Sequence, residues 1–297
     1  MELVKIKGQT YYIPGPTNVG VYSFRNGFCA LIDSGADNGA GKKVIEVLEQ
    51  HNLKVKYILH THNHPDHCGA DHYIRSVHTG TLICASPLSK IFLENTQLQP
   101  FSIYGSAPLR DLNGKMLKGK DLKIDFELSM PITDCGGKKF SILALPGHSL
   151  DQVGIVTPDG VAFVGDALFS PEIIEKYTFP FCVSVEEQLK SLDRLGEEVF
   201  AGYVLGHSQQ VWERAEELIE LNRENLIKHL NLIKEFLFEP LSREDLVEKI
   251  IQYHALDIPD LEQYFITLAS TGAFISYLYN KGEIKCEILE GKLYFYS

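Results

Sequence analysis

Eight consecutive residues limit this chain more than any other feature: His60-Thr61-His62-Asn63-His64-Pro65-Asp66-His67. Four of its 11 histidines fall here, directly after residues 55–59 (VKYIL), an apolar run that reads as a β-strand. Pro65 has no N–H and biases His64 towards an extended backbone, so the segment reads as a loop at a strand end and not as a helix. In an extended stretch, side chains two apart point the same way. His62 and His64 can therefore reach one metal ion, while Asp66 and His67 turn away and can serve a second. Neutral imidazole and carboxylate suit zinc. The bland alternative, a solvated loop that happens to be rich in His, is disfavoured by the strand-end position and the spacing.

Further ligands are expected downstream, because a short cluster rarely completes a site for two metals. Three places share one context, an apolar strand, a Gly, then a ligand: residues 143–145 before Pro146-Gly147-His148, residues 161–164 before Gly165-Asp166, and residues 203–205 before Gly206-His207. Glycine lets the backbone turn tightly at the strand end, so that the next side chain projects over the sheet edge. Singly each is an ordinary turn. With the first cluster, three such strand ends are hard to dismiss as turns alone.

Elsewhere, short apolar runs alternate with amphipathic segments. Strands are expected at residues 28–33, 81–84, 140–145 and 153–157, with helices at 41–52, 69–77 and 185–195. This is an α/β or α+β pattern. From about Trp212 the chain becomes helix-rich until about Asn280. Residues 283–288 and 292–296 then flank Leu289-Glu290-Gly291 as a closing hairpin. The expected division is a catalytic domain at 1–212 and a small, helical, winged-helix-like domain at 213–297.

The ordered set His62-x-His64-x-Asp66-His67, Gly147-His148, Gly165-Asp166 and Gly206-His207, with Ile32-Asp33-Ser34-Gly35 before it, resembles the motifs of the metallo-β-lactamase superfamily over roughly residues 10–210. The resemblance implies a four-layer αββα sandwich with its site at one edge of two sheets. It implies that His62, His64 and His148 bind a first metal, that Asp66, His67 and His207 bind a second, and that Asp166 bridges them. Asp33 would fix the ligand loop by hydrogen bonds from behind. The implied cofactors are two zinc ions, with iron or manganese as substitutes, and no organic cofactor. The site is similar to those of glyoxalase II and lactamase-β-like hydrolases, and differs from flavodiiron oxidoreductases, which carry a Glu where this chain has His64. The sequence also departs from the usual pattern: Gly69-Ala70 stands for Gly-Gly, with Cys68 before it, and the last motif reads LGHSQ. His60 is extra, and reads as a strand-end or supporting residue. No glyoxalase-type run of basic residues for a glutathione carboxylate is seen.

The implied activity is a dinuclear hydrolase whose metal-bound hydroxide attacks the carbonyl of a small ester, thioester or lactone, with Asp66 and Asp166 as the catalytic carboxylates. Residues 97–119 (with Phe101, Tyr104 and Leu109) and 169–184 (with Lys176, Tyr177, Phe179 and Phe181) are the loops expected to choose a substrate or merely to cover the sheet edge. The other readings are an RNA-directed phosphodiesterase of the lactamase-β-like type, an iron-dependent sulfur dioxygenase on the same fold, and a non-enzymatic regulator.

Composition trims these. The 297-residue chain has a net charge of −11, which disfavours a phosphate-backbone partner. Residues 213–297 hold 9 Lys and Arg against 16 Asp and Glu, and the recognition-helix segment 261–280 holds Glu262 and no Lys or Arg. That segment is so apolar that it is expected to pack on the catalytic domain or on a second subunit of a homodimer. No run approaches the ~20 apolar residues of a membrane span. The opening MELVKIKGQTYY does not read as a signal peptide, so a cytoplasmic location is expected. The 6 cysteines form no CxxC pair and read as free thiols.

Overall fold

The computed structural model describes residues 2–114 and 116–297; Met1 and Lys115, the latter within the 97–119 segment, lie outside them. The first sheet has seven strands lying in chain order: β1 (Val4–Lys7), β2 (Thr10–Ile13), β3 (Val19–Ser23), β4 (Phe28–Ile32), β5 (Lys54–Leu59), β6 (Leu82–Ala85) and β7 (Phe126–Glu127). The first four pair antiparallel through short turns, while β4 to β7 pair parallel. Parallel pairs need crossovers. These are α1 (Asn38–Gln50), then α2 (Pro65–Cys68) and α3 (Asp71–Val77), then α4 (Pro87–Glu94), α5 (Leu98–Tyr104) and a 3₁₀ turn at Arg110–Leu112.

The second sheet is a meander of β8 (Ile132–Cys135), β9 (Lys138–Ala144), β10 (Val153–Val156) and β11 (Val161–Gly165). After α6 (Pro171–Lys176) and α7 (Val185–Glu197), β12 (Gly202–Leu205) joins β11 in parallel. The chain ends in α8 (Glu216–Phe236), α9 (Arg243–His254), α10 (Leu261–Asn280) and the hairpin β13 (Lys285–Leu289) and β14 (Lys292–Tyr296).

Strand alternation sorts the apolar residues into three interfaces. On β4, Cys29 and Leu31 face out to Val44 and Leu48 of α1 and Ile74 of α3, whereas Ala30 and Ile32 face in. On β11, Val161 and Phe163 face in, while Ala162 and Val164 face the later helices. The layers are therefore helix, sheet, sheet, helix, as expected. Gly20 on β3 has no Cβ because the Phe163 ring of the facing sheet occupies that space.

Residues after 215 complete, with Val185, Leu192 and Leu195 of α7, the outer layer of the second sheet. Leu226, Leu230 and Ile233 of α8 and Phe274, Ile275 and Leu278 of α10 share one apolar cluster with Val164 and Leu205. This is where the apolar content of α10 goes: it packs on the sheet layer, with Asp260 capping its first turn. Leu241 pairs with Phe295, adding one bridging residue beside the hairpin.

Three expectations are corrected. Pro65–Cys68 is a helical turn, not loop: Pro occupies a first-turn position, where its missing N–H costs nothing. Segment 97–119 carries α5 and the 3₁₀ turn, and segment 169–184 carries α6. Strands β1–β3, β7 and β8 were not read from the sequence.

Candidate metal centre

Strand direction assembles the cluster. β9, β11 and β12 run parallel to one another within the second sheet, so the residues following each emerge at one edge. His148 follows β9, Asp166 follows β11 and His207 follows β12. His62 and His64 follow β5 of the first sheet, and Asp66 and His67 lie on α2. The sheets are tied here by Val153 N–H donating to Thr61 O at 2.8 Å and Asn18 N–H donating to Gly206 O at 2.8 Å.

All seven expected ligands meet. Ligand atoms of His62, His64 and His148 lie within 4.8 Å of one another, as do those of His62, His67 and Asp166, and those of Asp66, His67 and His207. Asp166 stands between the groups: its Oδ2 is 3.3 Å from His148 Nε2 and 3.4 Å from His207 Nε2, and its Oδ1 is 3.4 Å from His67 Nε2. Asp66 Oδ2 is 3.3 Å from His207 Nε2.

Hydrogen bonds behind the histidines decide which nitrogen faces the centre. Carboxylate and carbonyl oxygens only accept. His67 Nδ1–H therefore donates to Asp33 Oδ2 at 2.8 Å, His148 Nδ1–H to Phe181 O at 3.3 Å and His207 Nδ1–H to Pro16 O at 2.6 Å. Thr61 donates its N–H and hydroxyl to Asp33 at 2.8 and 2.7 Å, which leaves Oγ1 to accept His62 Nδ1–H at 3.0 Å. In each of these four rings Nε2 is left to face the centre, the geometry of a metal-ligating imidazole. His64 presents Nδ1 instead, 2.9 Å from His148 Nε2.

The donor set fits divalent cations. His62 Nε2, His67 Nε2 and Asp166 Oδ1 are buried without a hydrogen-bond partner, and such atoms cost about 1–3 kcal/mol each if left unsatisfied. The local field also favours positive charge. Burial would lower the pKa of His207, but Asp166 and Asp66 outweigh it and push it up to about 10. Burial would raise the Asp33 carboxyl, but His67 and His60 pull it down to about 2. Burial, then the neighbouring His148, takes His64 down to about 3, so its lone pair stays available.

The three glycines do not share one role. Gly147 and Gly165 adopt φ of 137° and 54°, which side chains resist. Gly206 does not; there a Cβ would strike the Asp166 carboxylate and the His67 ring. Sequence reasoning missed the supports Pro16, Asn18 and Thr61. Buried Asn18 donates to Leu205 O at 2.9 Å and to Ser208 O at 2.5 Å, holding the turn that carries His207. Of the residues considered for substrate choice, Phe181 stands beside the cluster, its ring 5.4 Å from His148 and 5.8 Å from His64. Phe179 turns away to His229 and Phe274, and Lys176 lies over the exposed Tyr177 ring. Gln99 of α5 accepts from Asn63 at 3.3 Å, and Tyr104 packs on Phe265 of α10 at 5.1 Å, so α10 backs the segment that borders the cluster.

An αββα sandwich with a buried His and Asp cluster on its shared strand edge defines a class of metal-binding folds. Comparison with known proteins makes it specific: the metallo-beta-lactamase superfamily profile matches residues 12–207, and the chain belongs to that superfamily. Among curated proteins it is similar to the hydroxyacylglutathione hydrolase GloC of Haemophilus influenzae, 34% identical over 147 residues, covering 47% of this chain and 61% of that protein. It is also similar to a hydroxyacylglutathione hydrolase of Vibrio campbellii, 31% identical over 142 residues, covering 48% of this chain and 43% of that protein. The chain thus spans about half the length of the curated relatives it matches. Among solved structures it shares its fold with a metallo-beta-lactamase family protein from Thermus thermophilus at TM-score 0.72 and 20% identity, covering 97% of this chain and 99% of that one. A beta-lactamase domain protein from Burkholderia ambifaria gives TM-score 0.73 at 17% identity, covering 99% and 93%. Among the described residues, no helix is long and apolar enough to cross a membrane.

Proposed function

We propose that the protein is a dinuclear metal-dependent hydrolase acting on a small carbonyl substrate, a thioester first and an ester or lactone next. The observation that carries this is the convergence of seven ligand atoms, four of them Nε2 atoms oriented from behind by Asp33, Thr61, Phe181 O and Pro16 O. His62, His64 and His148 would hold one ion, Asp66, His67 and His207 the other, and Asp166 both. Two zinc ions bound there would bring the pKa of water down from about 16 to about 7 and polarise a carbonyl. Asp66 is the carboxylate open to an incoming substrate, its side chain 45% exposed against 6% for Asp166. It orients the attacking water and carries its proton to the leaving group. Phe181 and Phe169, beside His148, form an apolar wall that suits an acyl group and keeps bulk water off the carbonyl.

The preference for a thioester is supported by similarity to the hydroxyacylglutathione hydrolases, over about half of this chain. The division at residue 212 and a winged-helix-like reading of 213–297 are proposals too, supported by the order α8, Leu241, α9, α10 and hairpin. The test is a hydrolysis screen of the zinc-loaded protein over S-acylglutathiones, aryl esters, lactones, bis-aryl phosphodiesters and single-stranded RNA. Zinc-dependent turnover of a carbonyl substrate supports the reading; turnover of RNA or phosphodiester alone overturns it.

A further inference from the structure

His60 takes no part in the ligand set, yet it is wholly buried and both its ring nitrogens face carboxylates. Nε2 lies 2.7 Å from Asp71 Oδ2, and Nδ1 lies 3.5 Å from Asp33 Oδ1. Asp71, the first residue of α3, is likewise fully buried, and His60 is the side chain paired with it. No substrate can reach the pair. Asp33, by contrast, touches the centre's own residues: it accepts from His67 Nδ1–H on Oδ2 and from Thr61 on both oxygens. It does so from a left-handed backbone, φ 58°, a conformation that persists only where the surroundings hold it. A line of contacts thus runs from α3 to the cluster: Asp71, His60, Asp33, His67.

We propose that His60 and Asp71 are positioning residues for the second metal: they brace the Oδ1 side of Asp33, so that Asp33 holds His67 Nε2 on the ion. This rests on the dinuclear reading above. Groups that orient a ligand from behind typically change metal affinity by about 10- to 100-fold, and one that acts through Asp33 should stand near the lower end. The first ion depends on Asp33 only through Thr61 and His62, so it should feel less.

Removing His60 alone would strand a buried carboxylate and could unfold the chain. The informative variant is therefore His60→Leu/Asp71→Ala, which removes both members of the pair. Thermal melting of the zinc-free protein reports folding. Competition with a chromophoric zinc chelator reports the two affinities without any turnover. The expected result is a folded protein whose first zinc binds within about threefold of wild type and whose second binds about tenfold more weakly. Asp71→Asn still offers an oxygen to His60 Nε2–H and should keep near-wild-type affinity for both. The inference is overturned if the double variant binds both ions like wild type, or loses both equally. If the wild-type protein itself never binds more than one zinc, the dinuclear reading fails first and the bracing role falls with it.

Discussion

Asp166 is the side chain whose loss should be felt most widely. Its two oxygens lie 3.3 to 3.4 Å from Nε2 atoms of His148, His67 and His207, which come from both halves of the cluster. Asp166→Ala should leave neither half complete. Elemental analysis should then show well under one zinc per chain, and hydrolysis should fall by at least about a hundredfold, as expected when a Lewis-acid contribution of several kcal/mol is lost. Asp66→Asn should behave differently, because His62, His64 and His148 are untouched: one zinc is retained and the second is lost preferentially. Equal loss of both ions in Asp66→Asn would contradict the proposed partition. At this scale the sequence was informative about residue type and poor about orientation. Nothing near Asp33 says that both of its oxygens accept from Thr61 while Oδ2 also accepts from His67.

Among the helices, α8 and α9 present a pair with its own pH signature. His229, 1% exposed, donates Nδ1–H to Asn225 O at 2.7 Å, and its ring lies 5.0 Å from that of His254. Phe179 packs on both rings, and neither Nε2 has a hydrogen-bond partner. Burial, then the neighbouring His229 and Lys228, lowers His254 to about 4, and burial lowers His229 as well. Both are held below the 6.5 of an unperturbed imidazole. The unfolded chain therefore takes up more protons than the folded one in that window. The sign follows: the stability contributed by keeping this pair uncharged is full above pH 6.5 and is lost as the pH falls towards 4. Melting curves of the zinc-loaded protein across that window should show it, and His254→Phe should flatten the dependence relative to wild type. An identical slope in the two proteins would rule the pair out as its source. The pairing was illegible in the sequence because the two rings sit on separate helices, 25 residues apart, and meet only once α8 and α9 pack.

For the molecule as a whole, the question is whether residues 213–297 can be removed. Leu218, Leu226, Leu230, Ile233, Phe274, Ile275 and Leu278 are all buried in the cluster that covers Val164 and Leu205. At about 1.5–3 kcal/mol per fully buried large apolar side chain, their loss is at least comparable to the about 5–15 kcal/mol by which a domain is usually stable. A chain ending at residue 212 should therefore lose its near-ultraviolet circular dichroism and bind a hydrophobic dye. A cooperative melt at the wild-type temperature would show the opposite. Charge argues in parallel against DNA. With 16 acidic and 9 basic residues in this region, an anisotropy titration with duplex DNA at low salt should show no tight, salt-sensitive binding.

The candidate ligands were legible in the sequence because each is announced locally. His62, His64, Asp66 and His67 stand in a spaced cluster after a strand, and His148, Asp166 and His207 each follow a strand and a glycine. Local order also sufficed for α10, since periodicity and capping act within a few residues, whereas the layer pattern was implied by the resemblance of the whole motif set. Tertiary structure alone decided the rest. His207 Nδ1 is held by Pro16 O across 191 positions and His67 by Asp33 across 34, and those distant oxygens choose which nitrogen faces the cluster. The same holds for Phe179 and Phe181: two positions apart in the connection between α6 and α7, one packs among the last helices and the other beside His148. The facing direction of a side chain depends on what packs opposite it, and that partner lies far away along the chain.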